Sequence, residues 1–595
     1  MNKTTLYLIV LFIFGLLLRL ISASNTGYMP DDSSHAVYAI NFLNSGKLEI
    51  YSQASSLWYS ITDLFFKLFG VGHFPARLPA VLFGTFAILA MFLFTKEVFN
   101  EKAGLISAFL LAISPFILKF TISESDPMVL FLLLMSAFFF VKATKNDNNL
   151  MFYSISGVFL GLGVITKMYP VLFGIVFAIF GLYQNHRLRK RIFDKKIIKG
   201  LILFSVIAFI FVIPVLTHNY LLYKDKGIAD FLFTNTLGIG IEKGAQYYSW
   251  DAGWGKSHEW LGFFLGNSES LGIKMPTSIY GMSFLLFSDL IVFILGAIGL
   301  VYCFFKKREF FILFLLGFIF VFAYLVTIIP LAKHFIFLLL FFIPPASFIL
   351  SKIKYKVLII ILIAILLFNL IFLGFGGNLP TPQHFYGKSA EAKVMDFNKQ
   401  IGENSLIVVD SRIYRGKISW MFYGKSYLEA LHFLQVMDDP SLIPGEPQSI
   451  DVYYVECVTD DCGWGTVKKQ PDFNASMEGL TNWFKENGAL ISEFDEPERY
   501  EAYYPFFKNK VTEMAVYSAK ITMNSGIIEI ASSPKEWYLY TIGYYGEQFD
   551  DYTVNGIFDK SLDLFAHLII YLSMALAFLS CGYVVYLVLR RENEE

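Results

Sequence analysis

Asp31 and Asp32 stand side by side in "YMPDDSSHAVYAINFLNSG", residues 28–46, directly after a long apolar run. A second acidic turn, "SESDP", carries Glu124 and Asp126 between two further apolar runs. Carboxylates so near apolar segments are costly unless they line a wet cleft or meet a cation. In a cleft, one carboxylate can take the proton of an attacking hydroxyl. Two can instead share a divalent cation such as Mg or Mn, with Asp31 and Asp126 as candidate ligands. Cations mark the ends of other apolar runs: Arg77 in "RLPAV", Lys167 in "ITKMYP", Lys333 and His334 in "LAKHFIF", and Lys119 in "ILKFT". Any one of them is explained as a snorkelling anchor. Five in one layer are better explained as a wall that holds a phosphate and neutralises charge developing on it. The acidic pair by itself also reads as two solvated loop residues; the other charges give it its chemical meaning.

These side chains can meet only if the elements carrying them end at one face of a membrane. The 595-residue chain is 55% hydrophobic and 16% charged, against about 25% charged in a soluble domain. That composition predicts an α-helical polytopic membrane protein, and the net charge of −1 gives no footing for nucleic acid. A span needs about 20 mostly apolar residues. About twelve such stretches lie near 5–23, 77–98, 103–121, 127–144, 150–166, 168–185, 197–220, 281–305, 309–329, 334–351, 357–376 and 562–589. The first resembles a signal peptide, but it exceeds the roughly 7–15 apolar residues of a signal core and Arg19 interrupts it, so a retained helix is expected.

The connections "TKEVFNEK", "KATKNDNN", "HRLRKRIFDKK", "KKRE" and "KIKYK" and the tail "RRENEE" all carry Lys or Arg. The positive-inside rule assigns them, and both termini, to the cytoplasmic side of a plasma membrane, one that suits a prokaryote. The extracytoplasmic side then receives residues 24–76, the turn at 123–127, a loop at 221–280 and a segment at 377–560. Every candidate acid and cation falls on that side.

The domain plan is a membrane domain over 1–376, an extracytoplasmic domain over 377–560, and a last helix with its tail over 561–595. The middle part reads as α/β. "SLIVVDS", "DVYYVECV" and "EMAVYSAKI" have strand character, "SAEAKVMDFNKQIGE" has helical periodicity, and "SMEGLTNWFKENG" is a helix stopped by Gly488. Of four cysteines, Cys303 and Cys581 lie in apolar runs and read as inert. Cys457 and Cys462 lie outside, where oxidising conditions favour a local disulfide; two unpaired thiols are the alternative. Tyr247, Tyr248, Trp250 and Trp254 form either an interfacial belt or a surface that stacks on sugars.

A cleft with carboxylates on one wall and cations on the other, at the outer membrane boundary, suits a sugar carried on a polyprenyl phosphate. The lipid tail stays in the bilayer, the cations receive the leaving phosphate, a carboxylate acts as base, and one in-line displacement inverts the anomeric carbon. The acceptor is a protein, a lipid or a glycan. The competing reading is a transporter or flippase, which should show paired repeats and broken helices; neither is evident in the sequence.

The chain resembles the GT-C superfamily of membrane glycosyltransferases, of the protein O-mannosyltransferase and lipid A aminoarabinose transferase type. "DDSSHAVYAINFLNSG" looks like the first exterior loop of that family. The block from "GVGHFPARLPAV" to "ISPFILKFTISESDPMVL" looks like the next, "GLGVITKMYPVLF" resembles its Lys-Gly-Pro segment, and "KHFIFLLLFFIPPASFIL" its Arg-Tyr…Pro helix. The resemblance spans most of residues 1–355. It implies Asp31 or Asp32 as catalytic base, Asp126 with Glu124 as second acidic site, Arg77, Lys167 and Lys333–His334 near the carrier phosphate, and Tyr38 beside the substrate. It requires no cofactor, although a divalent metal fits the pattern. Two departures stand out: "TKMYP" lacks the Gly after Lys, and "KH" replaces Arg-Tyr.

Overall fold

The computed structural model describes residues 3–25, most of 35–43, 56–189 except 121 and 123, 192–227, 229, 233, 289–328, 336–370, 390–413, 418, 420–459, 471–495, 513–532 and 552–590. Asp31, Asp32, Lys333, His334 and Cys462 lie outside the described residues, as does the aromatic group at 247–254.

A helix occupies each of the apolar stretches. The first are α1 (Lys3–Asn25), α2 (Ser56–Phe69), α3 (His73–Val98), α4 (Glu101–Ala112), α5 (Asp126–Lys145), α6 (Leu150–Thr166), α7 (Val171–Arg189), α8 (Lys195–Ile210) and α9 (Ile213–Lys226). Then come α10 (Leu290–Lys306), α11 (Arg308–Ile328), α12 (Leu339–Leu350) and α13 (Tyr355–Leu370). Among the described residues six helices are long and apolar enough to cross a membrane, or seven if the bent pair α8–α9 is one span; four more apolar helices are shorter. The chain is thus an integral membrane protein. At the centre stands α5, apolar on all sides and buried from Asp126 through Val141, as a helix without a polar face must be. Helices α6 and α8 approach closely, because a Cβ on Gly157 would meet the Phe204 carbonyl oxygen at 2.6 Å and one on Gly161 would meet the Phe211 ring at 2.4 Å. Such small-residue seams replace the hydrophobic drive that lipid cannot supply between helices.

Two stretches expected to be straight are broken. The α8–α9 pair bends by 52°, where Pro214 removes the hydrogen bond to the residue four back and clashes with its carbonyl. The stretch near 103–121 ends as an α-helix at Ala112 and resumes as a π-helical segment over Phe116–Phe120. Pro115 is the cause: it has no N–H to give the Leu111 carbonyl, which is left with a long bond from the Ser114 amide (3.5 Å), and it ends the α-helical ladder there. In hydrocarbon such groups cost several kcal/mol each unless something donates to them. Two other helices supply donors. Arg19 of α1 reaches the Leu111 and Ala112 oxygens, each at 3.2 Å. Asn369 of α13 reaches the Ile113 oxygen at 3.1 Å, and Ser22 donates to the Leu118 oxygen. Ser114 turns outward and donates to the buried Asp289 ahead of α10 (2.5 Å). Gly84 leaves the space Arg19 fills, since a Cβ there would sit 3.2 Å from Nε.

The segment between α13 and the last helix is an α/β domain. It contains α14 (Ala390–Asn398), β1 (Ser405–Val409), β2 (Tyr427–Glu429), α15 (Ala430–Asp438), β3 (Pro447–Cys457), α16 (Pro471–Asn487), β4 (Ala489–Asp495), β5 (Glu513–Asn524) and α17 (Gly526–Ser532). The five-stranded sheet runs β2-β1-β3-β5-β4. Strands β1, β2 and β3 are parallel, and β5 lies antiparallel to both β3 and β4. Every residue of β1 is buried. Leu406 and Val408 enter one core with Tyr454 and Phe484, while Ile407 and Val409 enter the other with Val455 and Met514. Asp410, buried where β1 ends, accepts from the Cys457 amide (3.0 Å) and from Arg412 (2.6 Å), tying the exit of β1 to β3. Burial, with the Asp410 charge beside it, holds the Tyr454 phenol well above its ordinary pKa. Cys457 is disulfide-bonded, and Cys303 and Cys581 are free and buried. The last helix, α18 (Gly556–Arg590), is anchored where it begins: Lys224 of α9 pairs with buried Asp559 at 2.5 Å.

Replacing Arg19 by Met, or Asn369 by Leu, is expected to destabilise the folded chain by on the order of 2 kcal/mol for each carbonyl left unserved. Thermal unfolding in detergent reads this as a lower midpoint. Gly582→Ala, which meets no atom within 4 Å, serves as the control and should leave the midpoint unchanged.

Candidate active site

Asp126 is the first residue of α5, with Pro127 behind it. A carboxylate is favoured there by the positive end of the helix dipole. It is fully buried and both oxygens are engaged. Lys167 Nζ lies 3.1 Å from Oδ1 and 2.9 Å from Oδ2, and the Tyr169 hydroxyl donates to Oδ1 at 2.6 Å. Lys167 reaches this point because α6 stops at Thr166. Lys167 leaves the helix in extended conformation while its amide still bonds the Gly163 carbonyl. Its ammonium also stands 5.2 Å from the centre of the Tyr169 ring, within cation–π range. Side-chain exposure is 16% for Lys167 and 0% for Asp126, so one face of this ion pair remains open. The Tyr169 ring packs edge-on against Phe337 at 4.9 Å, three residues past His334. Phe337 therefore meets the "TKMYP" segment beside Asp126.

The two acidic turns share a root. Ala23, in the last turn of α1 before the acidic pair, forms a buried cluster with Val81 of α3 and Ile122, which lies two residues before Glu124. Glu124 is itself fully buried. Arg77, one turn into α3 and buried, donates to the Ala23 carbonyl at 3.0 Å. It so caps the end of α1 in the way a cation suits a helix C-terminus. Beyond the acidic pair, Tyr38 stacks on Tyr59 of α2 at 4.8 Å, with His35 5.8 Å from the same ring.

The structure thus brings Glu124, Asp126, Lys167 and the end of α1 to one end of the bundle, with Arg77 bound to the helix from which Asp31 and Asp32 depart. Lys119 falls on the π-helical segment. Among the described residues no group of three or more His, Cys, Asp or Glu is placed to hold a metal. Both Asp126 oxygens already serve Lys167 and Tyr169, so a divalent ion at Asp126 would have to displace the ammonium. Sequence reasoning missed Tyr169 as a site residue. Its one signal was position, two residues after Lys167 in a segment already singled out.

Residues 57–218 match the family described as dolichyl-phosphate-mannose-protein mannosyltransferase. No curated protein matches the chain. Among solved structures, the crystal structure of ArnT from Cupriavidus metallidurans bound to undecaprenyl phosphate aligns with a TM-score of 0.52 at 12% identity, over 87% of this chain and 98% of that one. An oligosaccharyltransferase from Archaeoglobus fulgidus with a tethered acceptor peptide aligns with a TM-score of 0.47 at 13% identity, over 76% of this chain and 69% of that one. The chain has the fold of that ArnT structure.

Lys167→Met leaves Asp126 buried with Tyr169 alone from this pair of donors and is expected to cost on the order of 3–5 kcal/mol. Adding Asp126→Asn should return a large part of that loss. A double-mutant cycle on denaturant or thermal unfolding measures the difference.

Proposed function

We propose that this chain, with its GT-C fold, is a membrane glycosyltransferase that moves a sugar from a polyprenyl-phosphate donor to an acceptor hydroxyl at the extracytoplasmic face. The observation that carries the reading is the buried Asp126–Lys167–Tyr169 cluster, set at the same end of the bundle as the root of the acidic pair. The match of residues 57–218 to a dolichyl-phosphate-mannose family supports the donor class. So does the fold shared with an enzyme crystallised with undecaprenyl phosphate.

In this mechanism Asp31 or Asp32 accepts the acceptor proton as the acceptor oxygen forms its bond to the anomeric carbon. The bond from that carbon to the phosphate oxygen breaks in line, and the electron pair leaves with the polyprenyl phosphate. The product is inverted. Lys167 and the Lys333–His334 pair receive the growing charge on the phosphate. Asp126 and Tyr169 hold the Lys167 ammonium in register before reaction, so little reorganisation is needed as that charge develops. Arg77 fixes the end of α1 and so the starting point of the catalytic loop. No step requires a metal. The acceptor class, whether protein, lipid or glycan, falls to residues of the exterior loops and domain.

A flippase of a lipid-linked substrate is the second reading. It draws on the two broken helices, at 113–115 and at the 52° bend, a feature of transporters. One experiment separates the two. Membranes carrying the protein are given dolichyl-phosphate mannose radiolabelled in the sugar, and label is followed from lipid into lipid-free material or a new lipid. Asp31→Asn and Asp32→Asn are tested singly and together. The expected result is transfer by the wild type and a loss of about 100-fold or more when the base is removed, with donor binding retained. Intact donor moved across the bilayer, or full transfer by the double variant, defeats the glycosyltransferase reading.

A further inference from the structure

The exterior domain touches the membrane part through a side chain that its own core does not need. After β1 the chain forms a short helical turn around 418–422. Ile418, Met421 and Phe422 point into the domain and pack with Ile407, Val409 and Val455. Asn398 of α14 secures this turn by donating to the Met421 carbonyl at 2.9 Å. Trp420 points the other way. It is fully buried, yet it belongs to a separate cluster with Ala36, Ala39, Ile40, Phe66 and Ala76. Its ring lies 4.3 Å from that of His73.

The residues it meets are informative. Positions 36, 39 and 40 recur at helical spacing on one face, and two of them are Ala, so they make a shallow floor on which a flat ring can lie. Ala76 and His73 belong to the first turn of α3, and His73 sits one turn before Arg77. The floor begins four residues past Asp32. One indole is thereby wedged between the segment that follows the acidic pair and the helix whose arginine caps α1. On its other side that segment is held by the Tyr38–Tyr59 stack.

We infer that Trp420 is a positioning residue for the transfer reaction: it clamps the segment after Asp31 and Asp32 against the start of α3 and so fixes the base relative to the phosphate-binding cations. This rests on the proposed function. It gives the exterior domain a part in the chemical step beyond any contact with the acceptor. Displacing a catalytic group by about 1 Å costs about 100-fold in rate. Removing the wedge should therefore lower kcat and leave the donor KM where it was.

The test uses the full-length protein in lipid nanodiscs, with Trp420→Ala, Trp420→Phe and Ala39→Leu. The last variant fills the floor from the membrane side and changes no residue of the exterior domain. Hydrogen exchange is measured without donor, and turnover with dolichyl-phosphate mannose. Trp420→Ala and Ala39→Leu should each lower kcat by about 30- to 100-fold with the donor KM within threefold. Exchange should rise across 35–43 and stay unchanged in β1, β3 and β5. Trp420→Phe should restore turnover to within threefold of wild type. The inference is overturned if turnover holds while exchange at 35–43 rises, if the loss appears in KM instead of kcat, or if exchange at 35–43 is unchanged. It is overturned equally if exchange rises throughout the exterior sheet, since the tryptophan would then belong to that fold. A wild-type chain that turns over no donor defeats the glycosyltransferase reading and not the clamp, which the exchange pattern judges alone.

Discussion

The carbonyls released where Pro115 interrupts α4 govern how this bundle is assembled. Water could serve them at a soluble surface; within hydrocarbon only protein can. Their donors come from α1 and α13, far from α4 in the chain. Three helices are therefore held in one register by hydrogen bonds with fixed geometry, whereas apolar contacts alone would permit sliding. The same bonds account for an arginine in the middle of an apolar helix, where a lone charge would be prohibitive. Arg19 also donates to Gly15 in its own helix, at 2.9 Å, so its charge is met by three backbone oxygens and no carboxylate is needed.

That register sets the height of the bundle end that holds Glu124 and Asp126. Ser22 donates to the Leu118 carbonyl, and Ala23 packs on Ile122, so the end of α1 and the approach to Glu124 rise together. Asp126 then starts α5, the most enclosed helix, and its position is as firm as that of the core. The ion pair with Lys167 costs desolvation, which its close contacts and the tyrosine hydroxyl offset. What this secures is a lysine of fixed position with a small part of its side chain still exposed.

Much of this was legible in the sequence, for reasons that differ by element. Apolar stretches of spanning length declare themselves by composition, and β1, β3 and β5 do so because buried strands are runs of Val, Ile, Tyr and Ala. β2, with three residues, is shorter than any periodicity. β4, "ALISEFD", loses its alternation at the register shift between Leu490 and Ser492 and lies mostly exposed at the sheet edge, so neither period nor burial betrayed it. Glu124, Asp126, Arg77 and Lys167 were visible as charged types at the ends of apolar runs. Their pairing was not, because Lys167 and Asp126 are 41 positions apart and no local rule joins them. The helix break was readable in principle, since Pro115 stands inside an apolar run; what hid it was the assumption that a span of the right length is continuous.

The α/β domain is strung between two apolar helices, each moored to the bundle by a polar contact: α13 through Asn369 and Ile113, α18 through Asp559 and Lys224. Such an insert behaves as a cassette. Chimeras made by fusion at one end would leave the other helix without its tether, while exchanges spliced between residues 370 and 556 keep both. The floor around Ala36 and Ala39 adds a further demand on any replacement, which must bring its own flat ring to the right place. A graft that leaves that seat intact therefore belongs on the surfaces of the domain away from it.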